Sequence, residues 1–363
     1  MPSAIFSTPL RAAPSSTAHA LLGIENPLLD ICVDADNSDV LAKYKLEANN
    51  AILAGPEHAP LYAEISAAPF KPLYVPGGAA QNTIRGAQWL LPKGSTTYIG
   101  CVGKDSYADI MTATAREQGV DVHYMVDPSV PTGTCAVLVS SGGKKRSLVA
   151  NLSAANNYKP THHRQPAIWS LVEAAQVIYI GGFFLTVSQE SIMEIAAHAL
   201  STNKWLTFNL SAPFLSQFFQ AGMEEASPYW DLLFGNESEA QAFAKAHGWT
   251  ELVEPKVDVA AIADKIAALP KKNEARPRLV VITQGADSTV VSYKGERKVY
   301  PVKKVDPVKV IDTNGAGDAF AAGFLAKLVL GKSIDECVEA GHYVASEVIQ
   351  RSGVVFPSEA PAI

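Results

Sequence analysis

The sequence is poor in cysteine, in charge and in long apolar runs. Its 363 residues include four cysteines, Cys32, Cys101, Cys135 and Cys337, which lie far apart and form no C-x-x-C pair. This spacing argues against a zinc ribbon or a disulfide framework, so we expect free thiols in a reducing compartment. No apolar run reaches the roughly 18 residues of a membrane span, so we expect no membrane partner.

An excess of basic residues is also absent. The formal net charge is -6, which gives no electrostatic reason to expect a nucleic acid as a partner. One basic cluster lies at 271–278, but Glu274 and Pro277 interrupt it. We interpret that cluster as a solvated loop.

Residues 1–20 contain one arginine, several serines and no acid. This composition faintly resembles an organelle transit peptide, but a single arginine is thin support. We therefore predict a flexible N-terminal tail. We expect the protein in the cytoplasm, with the nucleus as a further location and organelle import as the alternative.

Short apolar strands alternate with helical patterns from about Gly77 onward. Each strand is closed by Gly or Asn, as in the segments at 96–103, 176–182, 205–210, 231–236 and 278–285. This alternation predicts an α/β fold with a doubly wound, mostly parallel sheet and helices on both faces. We assign this large domain to 21–29, 77–130 and 153–363. Its ligands should bind at the carboxyl ends of the strands.

Two stretches, 30–76 and 131–152, break this rhythm with strand-like pieces that have little helical pattern between them. The sequence around Ser141, Gly142 and Gly143 is typical of a hairpin turn. We predict that both stretches form one small, discontinuous, β-rich lid domain, which excludes water from the site when it closes.

The segment DTNGAGD at 312–318 has the parts of an anion site. Residues 308–311 are predicted as a strand and 316–330 as a helix, so the turn would expose backbone N–H groups at a helix N-terminus. Gly315 and Gly317 permit close approach. Asp318, beside a bound anion, makes sense as a base that accepts a proton from an attacking hydroxyl. The alternative is a glycine turn with an ordinary N-terminal acid.

Several segments resemble a known family. DTNGAGDAFAAGF and PGGAAQN resemble the two signatures of the PfkB family, the ribokinase-like sugar and nucleoside kinases. Within it, NPLLDI, PTGTCA, RSLVANLSAAN, GGFFLTVS and FGNESEA resemble the branch that phosphorylates adenosine. The similarity runs in order from about Leu21 to Pro357. It implies a ribokinase-like fold and transfer of phosphate from ATP to the 5'-hydroxyl of adenosine, a step of purine salvage that gives AMP and ADP.

The resemblance assigns the phosphoryl-transfer residues. Asp318 corresponds to the general base, and the backbone N–H groups of Gly315, Ala316 and Gly317 to the anion hole. Arg146, in the lid hairpin, corresponds to an arginine that swings over the phosphate; taken alone it is a surface arginine. The N-x-x-E pair Asn236 and Glu239 corresponds to residues that organise Mg²⁺ and its waters, although such a pair is also typical of a helix cap.

The resemblance also implies a nucleoside site. An acid inside an apolar strand needs a partner or a ligand, and Asp30 corresponds to the residue that binds the ribose 2'- and 3'-hydroxyls. Phe184 corresponds to the aromatic residue that stacks on adenine, although Phe and Leu at such places are often plain core. The remaining substrate-binding candidates are Asn26, Leu53, Gly77, Gly78, Asn82, Cys135 and Leu148.

For the ATP side, the candidates by resemblance are Asn209, Thr283, Gly285 and His342. His342 lies in a small-residue helix and fits a core histidine equally well. Ala79 and Ala51 depart from the Ser and Gln that many members carry, which bears on base selectivity. Magnesium and ATP are the implied cofactor and co-substrate, a monovalent cation is left open, and we expect a monomer. The alternatives are another PfkB sugar or nucleoside kinase and a catalytically silent nucleoside-binding protein on the same fold.

Overall fold

The computed structural model describes residues 4–48, 50–142, 145–359 and 361. Its strands are β1 Leu21–Ile24, β2 Leu28–Asp34, β3 Asn50–Leu53, β4 Leu73–Gly77, β5 Thr96–Gly103, β6 Asp121–Asp127, β7 Thr134–Ser140, β8 Lys145–Asn151, β9 Val177–Gly181, β10 Trp205–Asn209, β11 Leu232–Asn236, β12 Leu279–Thr283, β13 Thr289–Tyr293 and β14 Glu296–Tyr300. Its α-helices are α1 Val40–Lys43, α2 Ala59–Ile65, α3 Ala79–Leu90, α4 Ser106–Glu117, α5 Pro160–His163, α6 Pro166–Ala174, α7 Gln189–Ser201, α8 Pro213–Phe218, α9 Gln220–Ala226, α10 Glu237–Ala246, α11 Val259–Ala267, α12 Ala316–Val329 and α13 Ile334–Val348.

The large sheet has nine strands in the order β14-β13-β12-β11-β10-β9-β1-β5-β6. All pairs from β6 to β12 are parallel, and β13 and β14 add an antiparallel edge. Every residue of β5 and β9 is buried, as expected for strands that are covered on both faces. The predicted α/β fold is confirmed.

Helices cover both faces of this sheet because alternate side chains of each strand point in opposite directions. Ile178 and Ile180 of β9 pack in a cluster with α7, α10 and α11. Val177 and Tyr179 of the same strand pack in a second cluster with α3, α12 and α13. These two clusters are the core of the large domain, and they fix the strand ends that carry the site.

A second sheet of five strands, β3-β8-β7-β2-β4, comes from the two stretches that broke the rhythm. We call this sheet and its short helices the lid. Strand β2 pairs with β4 from Leu28 onward, so the lid sheet begins two residues before the predicted boundary at residue 30. Ser141 and Gly142 adopt positive φ at the hairpin turn; Gly143, the third predicted turn residue, lies outside the described residues.

The segment that precedes β1 is packed against the large domain. Phe6 is buried in the cluster with α12 and α13. The Leu10 N–H donates to the carbonyl of Lys332 at 3.3 Å, and Arg11 Nη1 donates to the carbonyl of Val329 at 3.0 Å. The prediction of a flexible tail is therefore wrong for this segment, and residues 1–3 lie outside the described ones.

Two local predictions also fail. The apolar segment 308–311 is not a strand: Pro307–Lys309 forms one turn of 3-10 helix, and Val308 is 90% exposed because no strand pairs with it. The basic cluster is not a solvated loop, since Lys271 and Arg276 form ion pairs with the buried Asp231 at 2.6 and 2.9 Å. No helix within the described ranges has both the length and the apolarity to cross a membrane.

Candidate active site

A cavity of about 390 Å³ lies where the carboxyl ends of the large sheet face the lid. Asn209, Asn236 and Thr283, which end β10, β11 and β12, line the large-domain side. The lid contributes an apolar wall. Its predicted members are Leu53, Cys135 and Leu148. The cavity lies at the ends of the strands, where binding was expected, and binding of a ligand there stays a prediction.

The DTNGAGD turn forms part of this cavity. Gly315 caps α12 in the left-handed conformation, with φ of 68°, where a side chain would also overlap Val354. A Cβ at Gly317 would meet nothing within 4 Å, so the backbone there stands open to the cavity. The first turn of a 14-residue helix thus lines the cavity, where the positive end of the helix dipole favours an anion, although the Ala316 N–H donates to the carbonyl of Thr313 at 3.4 Å.

Asp318 lies in that first turn and lines the cavity. Asn82 Nδ2 of α3 donates a hydrogen bond to Asp318 Oδ2 at 3.1 Å. Burial raises the pKa of Asp318 to about 7, and the Asn82 hydrogen bond opposes this rise. A carboxylate with a pKa near neutrality is suited to accept a proton from a substrate hydroxyl.

Asp30 of β2 lines the cavity and is 6% exposed. Burial, and then the charge of Asp318, raises its pKa to about 8. A Cβ at Gly77 would overlap the Asp30 carboxylate, so only glycine leaves room for this carboxylate. Gly77 itself does not line the cavity. Gly78 has φ of 90° and lines the cavity, where a Cβ would overlap the carbonyl of Asn26.

Arg146 lines the cavity, but its guanidinium is docked on Asp312. Its Nε donates to Asp312 Oδ1 at 2.6 Å, and its Nη2 donates to the carbonyl of Ile311 at 3.3 Å. Asp312 also accepts the N–H of Asn314 at 2.7 Å and the N–H of Gly353 at 2.8 Å. Asp312 therefore ties the lid to the turn that precedes the anion site.

Asn236 and Glu239 form a reciprocal capping box at the start of α10. The Glu239 N–H donates to Asn236 Oδ1 at 2.9 Å, while Asn236 N and Nδ2 donate to the two Glu239 oxygens at 2.9 and 2.7 Å. Burial raises the pKa of Glu239 to about 7. Among the described residues, no three His, Cys, Asp or Glu side chains form a group that could hold a metal directly. The carboxylate keeps free lone pairs, so the pair fits a magnesium ion bound through its waters.

The aromatic wall comes from Phe183 and Phe214, whose ring centroids lie 6.1 Å apart. Phe184, the predicted stacking residue, is fully buried and meets Tyr158 edge-on at 5.4 Å. Gly182–Thr186 forms a 3-10 helix, in which consecutive side chains point in different directions. Phe183, one residue before the predicted Phe184, lines the cavity, and stacking of either ring on adenine stays a prediction.

Gly285 and His342, two of the four ATP-side candidates, lie outside this cavity. His342 Nε2 is 2.8 Å from Thr289 Oγ1, and its ring packs 5.5 Å from that of Phe320. Burial lowers the pKa of His342, so it is a neutral histidine with a partner. Gly285 follows β12 with φ of 60° and open space around it. Contact of either residue with ATP stays a prediction.

The family model described as pfkB family carbohydrate kinase matches residues 46–361. The chain belongs to the PfkB family. Adenosine kinase 2 of Arabidopsis thaliana is 51% identical over 350 residues, which cover 96% of this chain and 99% of that protein. The adenosine kinase of Schizosaccharomyces pombe is 45% identical over 341 residues, covering 94% and 97%.

Solved PfkB structures agree with the fold. Anopheles gambiae adenosine kinase in complex with P1,P4-di(adenosine-5) tetraphosphate has a TM-score of 0.90 and 43% identity, with 95% of this chain and 99% of that one covered. Schistosoma mansoni adenosine kinase in complex with 2-fluoroadenosine has a TM-score of 0.88 and 39% identity, with coverage of 94% and 98%. The ribokinase-like fold is confirmed.

Sequence reasoning missed several residues that line the cavity of this PfkB chain. Phe183 is one position away from the predicted Phe184, and Phe214 follows the proline that begins α8. Asn314 lies inside the signature itself. Glu25 is an acid beside an apolar strand, the same signal that singled out Asp30, and it was overlooked.

Proposed function

We propose that the protein transfers the γ-phosphoryl group of ATP to the 5'-hydroxyl of adenosine and releases AMP and ADP. One observation carries this proposal: a single cavity joins an aromatic and aliphatic wall to Asp30 and to the Asp318 turn. An apolar wall suits a purine base, a buried carboxylate suits ribose hydroxyls, and a helix N-terminus suits a phosphate. The adenosine kinases described above support the same substrate.

Adenosine lies between the lid and the large sheet, with its base against Phe183 and the wall of Leu53, Cys135 and Leu148. Asp30 accepts hydrogen bonds from the ribose hydroxyls. Asn26, Gly78 and Asn82 line the same part of the cavity. Because the ribose subsite and the carboxylate of Asp318 line one cavity, this pose directs the 5'-hydroxyl toward Asp318.

Asp318 then accepts the proton of the 5'-hydroxyl while that oxygen attacks the γ-phosphorus. The bond from the γ-phosphorus to ADP breaks on the opposite side. The backbone N–H groups of residues 315 to 317 stabilise the charge on the transferred group. Asn209 and Thr283, at neighbouring strand ends, are placed to contact ATP from the large-domain side.

Asn236 and Glu239 would hold the waters of a magnesium ion beside the phosphates. Bound magnesium would neutralise phosphate charge. Arg146, which Asp312 holds at the lid side of the cavity, would add a guanidinium at the phosphates by leaving this ion pair when ATP binds, and closure of the lid would exclude water.

Turnover with a panel of acceptors tests the proposal. Adenosine, inosine, guanosine, ribose and fructose 6-phosphate are supplied with Mg-ATP, with and without K⁺, and ADP release is followed for the wild type and Asp318→Ala. We expect turnover of adenosine and its loss in the variant. Turnover of ribose but not of adenosine would indicate a PfkB sugar kinase. Binding of adenosine without turnover of any acceptor would indicate a silent binding protein.

We expect the enzyme to act as a monomer in the cytoplasm. Its four cysteines are buried free thiols, in keeping with a reducing compartment. Size-exclusion chromatography with light scattering tests the monomer, and a dimer mass would contradict it.

A further inference from the structure

Glu25 is a cavity residue to which the mechanism above gives no role. It directly follows β1, an inner strand of the large sheet, is 1% exposed and lines the cavity. A carboxyl at such a depth costs free energy unless its surroundings use it. Its contacts show which elements of the fold it supports.

One carboxyl oxygen of Glu25 supports the start of α3. The Ala80 N–H, in the first turn of this helix, donates to Glu25 Oε2 at 3.1 Å. The residue at the usual capping position is Gly78, which has no side chain to accept this bond. Glu25 therefore supplies from β1 the acceptor that an N-cap side chain would normally provide.

The same helical turn carries Asn82, whose Nδ2 donates to Asp318 Oδ2 at 3.1 Å. A chain of contacts thus runs from Glu25 through the first turn of α3 to the catalytic base. The other carboxyl oxygen, Glu25 Oε1, lies against Gly181, where a Cβ would overlap it, and it has no hydrogen-bond partner among the described residues. Glu25 is wedged between the end of β9 and the start of α3.

We propose that Glu25 is a positioning residue: its carboxyl fixes the first turn of α3, so that Asn82 meets Asp318. A negative charge on this buried carboxyl would impair phosphoryl transfer, because it would lie near the base and the anion hole. This inference rests on the proposed kinase function. It concerns a residue that acts on the base through α3, without requiring contact with either substrate.

The charge environment of Glu25 supports the protonated form. Burial raises its pKa to about 8, the Ala80 hydrogen bond opposes this, and the charge of Asp318 adds to the rise. The ionisable groups that face it are Asp318 of α12, Tyr98 of β5 and Tyr179 of β9. None of them is a cation. Above about pH 8 the carboxylate would become a second negative charge beside the base and the anion hole.

Glu25→Gln separates charge from contact. The amide keeps the size of the side chain and an oxygen for the Ala80 N–H, but it cannot ionise. We would measure kcat and KM for adenosine from about pH 6 to about pH 9.5. For the wild type we expect kcat to fall about tenfold per unit above about pH 8, and for Glu25→Gln we expect no such fall and wild-type values near pH 7. An identical alkaline fall in both proteins would overturn the proposal.

Glu25→Ala removes the contact itself. We expect kcat near pH 7 to fall about tenfold, with the KM for ATP unchanged, and rescue by the Gln variant. In an Asn82→Ala background the same change should cost little more, because both residues act through one turn of α3. Full additivity, or wild-type kcat in Glu25→Ala, would contradict positioning through this helix.

Ser333→Ala is the matched control. Ser333 is a buried cap of α13 that accepts the Glu336 N–H, and it lies outside the cavity. We expect this variant to lower the melting temperature but to keep kcat. If the wild type does not phosphorylate adenosine, the proposed function fails. If the wild type is active and Glu25→Gln follows its pH profile, only the inference on Glu25 fails.

Discussion

Arg146 and Asp312 form a buried ion pair between the lid and the large domain, with Nε and Oδ1 2.6 Å apart. Both side chains are almost fully enclosed, at 6% and 1% exposed. Asp312 begins the DTNGAGD signature, and it also accepts the N–H groups of Asn314 and Gly353. The first acid of the signature therefore connects the lid to the turn that precedes α12, whereas the second, Asp318, is the proposed base.

We expect Asp312→Ala to lower the free energy of unfolding by about 3 kcal/mol, because the Arg146 guanidinium stays buried without this carboxylate. Asp312→Asn keeps an acceptor for the neighbouring amides and should lose less. Urea denaturation measures both. Glu251→Ala, which breaks the exposed Glu251–Lys265 pair, is the control and should cause no measurable loss. Equal losses in the buried and exposed pairs would contradict the structural role of Asp312.

The raised pKa of Asp318 predicts the acid limb of the pH profile. Because burial holds this pKa at about 7, kcat/KM for adenosine should rise with pH up to about 7. It should then stay constant until the pH at which the alkaline fall attributed to Glu25 begins. Asp318→Asn should lower kcat by about 10² to 10⁴ and remove the acid limb. An unchanged acid limb in the residual activity of this variant would show that another group takes the proton.

Five of the nine strands of the large sheet could be predicted because their signals are local, whereas β1, β6, β13 and β14 were not predicted. The segments that became β5, β9, β10, β11 and β12 are apolar runs closed by Gly or Asn, and each lies in the parallel sheet. Residues 308–311 carry a similar apolar signal but form no strand, since a strand also needs a partner to pair with. Pairing is a property of the whole chain and cannot be read from four residues.

The site residues were predicted from motifs. The prediction failed where the direction of a side chain decides whether it reaches the cavity. Asp30, Asn82, Asn236 and Asp318 line one cavity because each lies in a strand or in a helix, whose regular geometry fixes the direction of the side chain. Phe183 and Phe184 lie in an irregular 3-10 turn, so the sequence does not tell which ring faces the cavity.

Phe183 lines the cavity and Phe184 is buried, so replacement of each by alanine should cause a different defect. Phe183→Ala should raise the KM for adenosine about tenfold with a small loss of stability, because the ring lines the cavity. Phe184→Ala should lower the free energy of unfolding by about 3 to 5 kcal/mol, because it empties a fully buried site. Steady-state kinetics and urea denaturation separate them. A large KM effect confined to Phe184→Ala would restore the original prediction.

We expect the Asp30 carboxyl to lower the stability of the fold and to strengthen the binding of adenosine. Burial and the charge of Asp318 raise its pKa to about 8, so the folded protein retains a proton that the unfolded chain releases above about pH 4. The folded state then binds more protons, and this group's contribution makes stability fall as pH rises from about 4 to about 8. Asp30→Asn cannot ionise. It should melt at a higher temperature than the wild type near pH 8, with the difference vanishing near pH 4.

The same variant should raise the KM for adenosine by about 10- to 100-fold, because the amide NH₂ group cannot accept the hydrogen bond that a carboxyl oxygen of Asp30 takes from the ribose. Asp105→Asn is a control of opposite sign. Burial tends to raise the pKa of Asp105, but hydrogen bonds from Thr132 and Ala108 outweigh it and lower the pKa, so its carboxylate stabilises the fold above about pH 4. That control should melt lower than the wild type near pH 8. If Asp30→Asn also melts lower there, the Asp30 carboxyl is ionised and paired in the folded protein.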